Sequence, residues 1–524
     1  MAGVERQDCH GIKICPSATT KFGAYPYLFR KILIANRGEI AVRIIRALRE
    51  MNIASVAIFS EADRRSLHVQ MADEAICVGA APSAESYLVK EKILAAARQV
   101  GAEAIHPGYG FLSENAAFAK ACSEAKIKFI GPDWRAIEQM GSKTSARRVA
   151  MAAGAPIVPG TEKGLSDARA ARRIAAELGY PVLLKAAAGG GGKGMRRVDC
   201  EADLAAAMSS ASSEAERAFG SGEVYLEKLV ERPRHIEVQV LGDEHGHLIH
   251  LGERECSLQR RHQKVVEECP SPLVMANPNM RQQIGEAALR IARAVNYANA
   301  GTLEFLADQT GRFYFLEMNT RLQVEHPVTE WVTGVDLVRW QIRIAAGERL
   351  TLRQEDIRWV GSAIECRVYA EDPENGFFPS AGRLAHYAEP SGPGVRVDGG
   401  VYPGWTVPLE YDPLLAKLTV WSDSREGAIA RMRRAVAEYR ILGIKTNLGL
   451  FAQLMNDAAL LAGDLDTNFL ERFMQRFKVE KPSADSTLAS MLAAVQTAMQ
   501  RPAAAQRSEP ISRWRAEGRR GLTR

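Results

Sequence analysis

The chain has 524 residues, 46% hydrophobic and 25% charged, with a formal net charge of +6. One core stops growing near about 250–300 residues, so several domains are required. The charge is too diffuse for a nucleic-acid surface, no basic helix with interleaved aromatics occurs, and no apolar run reaches the roughly 18–20 residues of a membrane span.

Residues 1–28 mix polar residues, Gly and Pro and lack the apolar stretch of a secretory signal. They are expected to be a disordered extension on a cytoplasmic protein. The eight cysteines show no metal-binding spacing and read as free thiols. Order begins at Phe29. The apolar run Lys31–Ala35 predicts a buried strand, broken by Asn36-Arg37-Gly38, and Ile40, Val42, Ile44, Ile45 and Leu48 then form a helical stripe. Strands at 55–59, 75–78, 104–106 and 128–130, with a helix near 91–99, continue the alternation. This predicts a doubly wound parallel sheet for 29–140.

The next region predicts strands at 180–185, 195–198 and 223–228, and a half-buried strand at 235–241 from its period-2 alternation. A helix at 281–295 precedes a hairpin of 301–307 and 312–317 about Asp308–Gly311. The third region predicts strands at 363–369, 383–387, 395–398 and 416–421 and helices at 424–438 and 447–456. Beyond 478, a helix at 486–500 precedes an Arg-rich end.

Four stretches carry chemistry. Four successive glycines, Gly189–Gly192, lead into Lys193-Gly194 and suit a lid whose bare backbone closes over a triphosphate; a flexible linker has the same composition. Lys185, just upstream, is placed to reach phosphate oxygens. Glu304, Glu317 and Asn319 sit in otherwise apolar strands, with 317 and 319 on one side. Hard oxygen ligands for Mg²⁺ explain them, as does a structural ion-pair network. Asn319–Pro327 reads as a substrate pocket or a solvated loop. In it Arg321 offers a planar fork for an oxyanion and Glu325 a general base. The polar run Gly252–Glu268, centred on Lys264, suits anionic substrates or a surface charge run.

Together these segments resemble the biotin carboxylase family. The matching stretches are 31–41, 106–115, 189–195, 252–268, 317–327, Glu365-Cys-Arg367 with Ala370-Glu-Asp372, and Tyr411–Lys417, covering about 29–473. The resemblance implies an α/β and α+β multidomain enzyme. It has a Rossmann-like N-terminal domain (29–140), an ATP-grasp domain (141–345, lid about 157–230), a mixed biotin carboxylase C-terminal domain (346–475) and a tail (476–524) that docks partners. It implies ATP and Mg²⁺ (or Mn²⁺) as cofactors and biotin borne on a separate carrier protein.

By that resemblance Lys143 and Lys185 match phosphate-binding lysines beneath a lid of Gly190, Gly191, Gly192, Lys193 and Gly194. Glu227, Lys228 and Val230 match the adenine hinge. His235, Gln259 and His262 match further nucleotide contacts. Glu304, Glu317 and Asn319 match metal ligands, and Lys264, Arg321, Gln323, Val324 and Glu325 a bicarbonate site. Arg367 matches the residue that holds the biotin ureido oxygen.

No Ala-Met-Lys-Met tetrapeptide occurs, so the expected partners are a biotin carboxyl carrier protein and a separate carboxyltransferase. A homodimer is expected as well, through the helix bearing Arg43, Arg46 and Glu50. The resemblance implies ATP- and bicarbonate-dependent carboxylation of biotin for an acetyl-CoA or acyl-CoA carboxylase, or alternatively for a pyruvate or other 2-oxoacid carboxylase. A different ATP-grasp ligase and a non-catalytic ATP-binding scaffold are the rival readings.

Overall fold

The computed structural model describes residues 29–161, 165, 167–186, 195–219, 224–477 and 492. The chain divides into two units, Met1–Phe477 and Lys478–Arg524, and every assigned strand and helix lies in the first. The expectation for 1–28, and that for a helix at 486–500 apart from the single residue 492, fall outside the described residues.

The N-terminal segment is the parallel sheet its apolar runs predict. Strands β1 (Lys31–Ile34), β2 (Ala54–Ser60), β3 (Glu74–Gly79), β4 (Ala104–His106) and β5 (Lys128–Phe129) are ordered β3-β2-β1-β4-β5. β1 pairs with β2 and β4, and all four adjacent pairs are parallel. Helix α1 (Gly38–Glu50) follows β1 directly and buries Ile40, Ile44, Ile45 and Leu48. Arg43, on the same helix, turns inward to Glu330 and Asp336, leaving Arg46 and Glu50 exposed. Within the chain, Arg43 is thus held against Glu330 and Asp336, and the expectation that this helix faces a second copy stands as a proposal.

A small antiparallel sheet follows, ordered β7-β6-β8, from β6 (Val182–Ala186), β7 (Met195–Val198) and β8 (Val224–Lys228). Its core is Val182, Leu184, Val198, Leu204, Val224 and Leu226.

The largest sheet has eight strands. β9 (Arg234–Gly242), β10 (Leu248–Arg260), β11 (Gln263–Cys269), β12 (Asn299–Ala307), β13 (Phe313–Asn319) and β14 (Ser362–Tyr369) are joined by strands Leu414–Ser422 and Val395–Gly399. The order is β13-β12-β9-β10-β11-β14, then Leu414–Ser422, then Val395–Gly399. The β11–β14 pairing carries this sheet across the 345/346 line, because Glu267 pairs with Glu365 and Val266 with Cys366.

β9 differs from its prediction. It is buried on both faces. Its apolar residues Ile236, Val238 and Val240 pack in the core with helix Met280–Ala294. The alternate residues His235, Glu237 and Gln239 point into a charged interior. Period 2 read this strand correctly, but its polar face meets ion-pair partners and not water. The predicted strand 383–387 is also broken. Gly382–Arg383 pairs with Thr406–Val407, and His386–Ala388 with Arg440–Leu442.

The N- and C-terminal regions touch closely at α1. A Cβ added at Gly400 would lie 2.6 Å from the Glu39 amide nitrogen, so only glycine lets these backbones meet. Among the described residues no helix is long and apolar enough to cross a membrane.

Candidate active site

The polar run 252–268 is not a surface charge run. It forms β10, β11 and the turn between them, and most of it is buried. The turn is Arg261-His262, both at positive φ (+49° and +69°), the two-residue hairpin geometry that matches strand twist. This fold-back sets Gln259 opposite Lys264 and leaves His262 exposed at the tip.

Lys264 reaches inward from β11 to three carboxylates. Its Nζ lies 2.5 Å from Glu237, 2.9 Å from Glu304 and 2.6 Å from Glu325. Burial opposes the ammonium charge, but Glu237, Glu304 and Glu325 outweigh it and raise the Lys264 pKa well above its usual value. Arg367, on β14, donates to Glu267 and, at 2.9 Å, to the second oxygen of Glu325. Glu325 is thus clamped by a cation on each oxygen. Burial alone would raise its carboxyl, yet Lys264, Arg367 and Arg254 hold it well below the carboxylate range. Glu267 goes the other way: burial raises it to about 8 despite Arg367.

The expected metal ligands converge. β12 and β13 place Glu304 directly opposite Glu317, and Asn319 lies two residues further along β13. Like charges opposed across a strand pair repel. Burial and Glu304 raise Glu317, and a divalent cation between the two carboxylates would relieve both costs. The oxygen donors suit Mg²⁺ or Mn²⁺. In this geometry Asn319 Nδ2 donates to Glu304 at 2.8 Å. His235 lies 3.0 Å from Glu304, which outweighs burial and raises the imidazole pKa. His235, Glu237 and Glu304 also bring ligating atoms within 4.8 Å of one another, but there the Lys264 ammonium already contacts both carboxylates.

The 319–325 loop supplies the rest. Arg321 donates to Glu114 at 2.8 Å, Gln323 at 2.9 Å and Asn319 at 3.1 Å. Gln323 donates to Glu304 at 3.2 Å. The Val324 carbonyl accepts from Lys417 Nζ at 2.8 Å.

A second group lies on the small sheet. Lys185 on β6 donates to Glu227 on β8, and Arg147 reaches the other Glu227 oxygen at 3.3 Å. Lys228 donates to the carbonyls of Gly179 and Tyr180, and Val230 follows β8 in irregular chain. Lys143 is exposed at the start of helix Lys143–Ala152, where its charge acts to lower the Glu317 carboxyl. The expectations for Gly190, Gly191, Gly192, Lys193 and Gly194 fall outside the described residues.

Sequence reasoning missed Glu237, Arg254, Glu267, Glu114 and Arg147. Arg254 is fully buried and donates to Glu237, to Gln239 at 2.8 Å, and to Thr302 and Thr329 at 3.0 Å. The local trace was only the polar alternation of His235, Glu237 and Gln239 between Ile236, Val238 and Val240, which a strand with one face in water also shows.

The family model for the biotin carboxylase N-terminal domain matches residues 28–137. The carbamoyl-phosphate synthase L chain ATP-binding domain matches 142–353, and the biotin carboxylase C-terminal domain 365–472. The biotin carboxylase of Nostoc sp. is 52% identical over 443 residues, 84% of this chain and 99% of the relative. A pyruvate carboxylase subunit of Methanothermobacter thermautotrophicus is 51% identical over 453 residues, 86% of this chain and 92% of its own. The crystal structure of the biotin carboxylase domain dimer of Hydrogenobacter thermophilus 2-oxoglutarate carboxylase, with MgADP, ADP and bicarbonate, superposes with a TM-score of 0.80 at 51% identity. It covers 87% of this chain and all of that one. The chain belongs to the biotin carboxylase family of ATP-dependent carboxylating ligases, whose cofactors are ATP, Mg²⁺ and biotin.

Proposed function

We propose that this chain carboxylates biotin on a separate carrier protein, using ATP and bicarbonate, as the first half-reaction of an acyl-CoA carboxylase. The observation that carries the reading is the clamp on Glu325, with Lys264 on one oxygen and Arg367 on the other. Such a carboxylate is ionised but a poor base while both cations hold it. Bicarbonate entering beside Arg321, Gln323 and the Val324 main chain takes over Lys264 as its counter-ion. Glu325 then becomes basic enough to take the bicarbonate proton.

The freed oxygen attacks the γ-phosphorus of ATP, and the bond to ADP breaks. Lys143 and Lys185 neutralise phosphate oxygens, and Glu227, Lys228 and Val230 receive the adenine. Gln259, His235 and His262 complete the nucleotide contacts. Glu304, Glu317 and Asn319 would hold Mg²⁺, which when bound supplies charge neutralisation at the phosphates. Carboxyphosphate splits into CO₂ and phosphate, and phosphate takes the ureido N1′ proton. Arg367, released from Glu325, steadies the negative charge on the ureido oxygen while N1′ bonds to CO₂. Exclusion of water protects the intermediate.

Domain limits of 29–140, 141–345 and 346–475 are proposed with this reading, as are a homodimer, a carrier protein and a separate carboxyltransferase. The dimeric relative supports the first of these partners. A second reading, the biotin carboxylase component of a 2-oxoacid carboxylase, is favoured by identities of 51% and 52% to pyruvate and 2-oxoglutarate carboxylase subunits.

The test is ADP release by the full chain with bicarbonate and free biotin varied, for wild type and Arg367→Ala. The expected result is release that requires bicarbonate and rises with biotin, with the biotin response lost in the variant. Release indifferent to biotin in the wild type would sink the reading. Adding acetyl-CoA, propionyl-CoA or pyruvate with cognate partners separates the acceptors.

A further inference from the structure

The strand Leu414–Ser422 lies beside β14, and their register sets Lys417 directly opposite Arg367. Directly opposed residues project to the same face. Two cations side by side in a dry strand pair repel each other and are costly to desolvate. Both are nevertheless inside, Lys417 fully.

Their targets account for the arrangement. Arg367 holds the Glu325 carboxylate. Lys417 Nζ donates to the Val324 carbonyl at 2.8 Å. One register pair therefore grips two consecutive residues, one by its side chain and the other by its main chain. Residues 320–325 link β13 to helix His326–Thr333 without regular secondary structure, so no strand ladder fixes this carbonyl.

Lys417 is itself anchored from two other parts of the chain. Glu39, in the first turn of α1, lies 3.4 Å away, and Asp398, its cross-strand neighbour, 3.7 Å. Asp398 is further held by Arg396, which also reaches Glu330 at 2.7 Å. The ammonium thus fixes the 324–325 peptide to the N-terminal helix and to the far edge of the large sheet.

We infer that Lys417 is a positioning residue, whose ammonium pins the Val324 carbonyl and so sets the direction from which Glu325 meets bicarbonate. The inference rests on the reading of Glu325 as the group that takes the bicarbonate proton. Lys417 touches no substrate and acts through residue 324.

The test uses the full chain with Lys417→Met, which keeps most of the apolar stem and removes the ammonium. Glu39, which burial raises to about 7 against Lys417, can take a proton when the ammonium goes. Asp398 cannot do so as readily, and Asp398→Asn/Lys417→Met replaces the single variant if that one does not fold. ATP cleavage is measured with bicarbonate and ATP varied separately, thermal melting checks folding, and Glu325→Gln runs alongside.

The expected result is a loss of about 10–100-fold in kcat/KM for bicarbonate, with KM for ATP unchanged within about twofold. A folded variant that keeps bicarbonate kcat/KM within about threefold, while Glu325→Gln is inactive, overturns the inference alone. A rise in KM for ATP well beyond twofold alongside the loss also overturns it, because it marks general disruption. Wild-type activity in Glu325→Gln would remove the underlying reading, and the inference with it.

Discussion

The five-stranded parallel sheet and the eight-stranded antiparallel sheet both bury their central strands, with opposite chemistry. β1 and β2 bury Ile32, Leu33, Ile34, Val56 and Ile58; β9, β10 and β11 bury Glu237, Arg254, Lys264 and Glu267. In the first sheet transfer from water is itself the driving force. In the second, every charge needs a partner of opposite sign, and those partners are supplied across the sheet by Glu304, Glu325 and Arg367. A scaffold needs only the first kind of interior. The second is retained where charge must be handled away from water.

The sharpest way to break this contrast is at its centre. Glu325→Gln leaves Lys264 and Arg367 without their shared carboxylate, and bicarbonate-dependent ATP cleavage should fall about 10²–10⁴-fold, the range for a lost acid–base group. Steady-state ADP release measures it. Next, Arg254→Met takes one of two cations from the buried Glu237 carboxylate, leaving only Lys264, and removes donors to Gln239, Thr302 and Thr329. It should destabilise the fold by about 3–5 kcal/mol. Ile34→Val in β1 should cost only about 0.5–1.5 kcal/mol. Urea unfolding of the two variants compares the sheets directly, and equal losses would erase the distinction drawn between them.

A smaller effect is expected at the second group. Lys185→Gln removes one cation from Glu227 and, on the proposed reading, one contact to phosphate, so KM for ATP should rise about tenfold, as loss of a charged hydrogen bond predicts. Bicarbonate KM should move much less, since Lys185 pairs with Glu227 on the small sheet.

The remaining effect is the pH dependence of stability. Burial raises Glu267 to about 8 and Glu365 and Glu39 to about 7. The unfolded chain releases these protons near 4.5, whereas the folded chain keeps them until about 7–8. The folded state therefore binds more protons in that window, and its stability falls as pH rises from about 4.5 to about 8. Glu330, lowered to about 2 chiefly by Arg43 against burial, acts in the opposite direction. Its contribution is present above about 4.5 and is lost as pH falls toward 2. Glu267→Gln should flatten part of the alkaline decline. Melting temperatures at about pH 6 and pH 8 check it, and an unchanged slope would reassign the decline to other groups.

Much of this was legible in the residues. The strand 104–106, the strand 195–198 and the hairpin about Asp308–Gly311 were readable because local pattern and turn chemistry decide them. Glu304, Glu317 and Asn319 stood out as polar groups in apolar strands. The second ring did not stand out. Glu237 looked like the wet side of an alternating strand, because nothing local reports that Arg254 and Lys264 fold over it. Lys417 lay inside a matching motif with no role of its own, since its target, Val324, is 93 residues away. Ion pairs closed across such distances leave no local period, whereas apolar burial does.

The most direct test of the central claim follows oxygen from ¹⁸O-labelled bicarbonate during ATP cleavage by the full chain with free biotin. Attack of bicarbonate on the γ-phosphorus predicts one labelled oxygen in the released phosphate. Unlabelled phosphate, its fourth oxygen drawn from solvent, would contradict it, because water and not bicarbonate would then be the nucleophile.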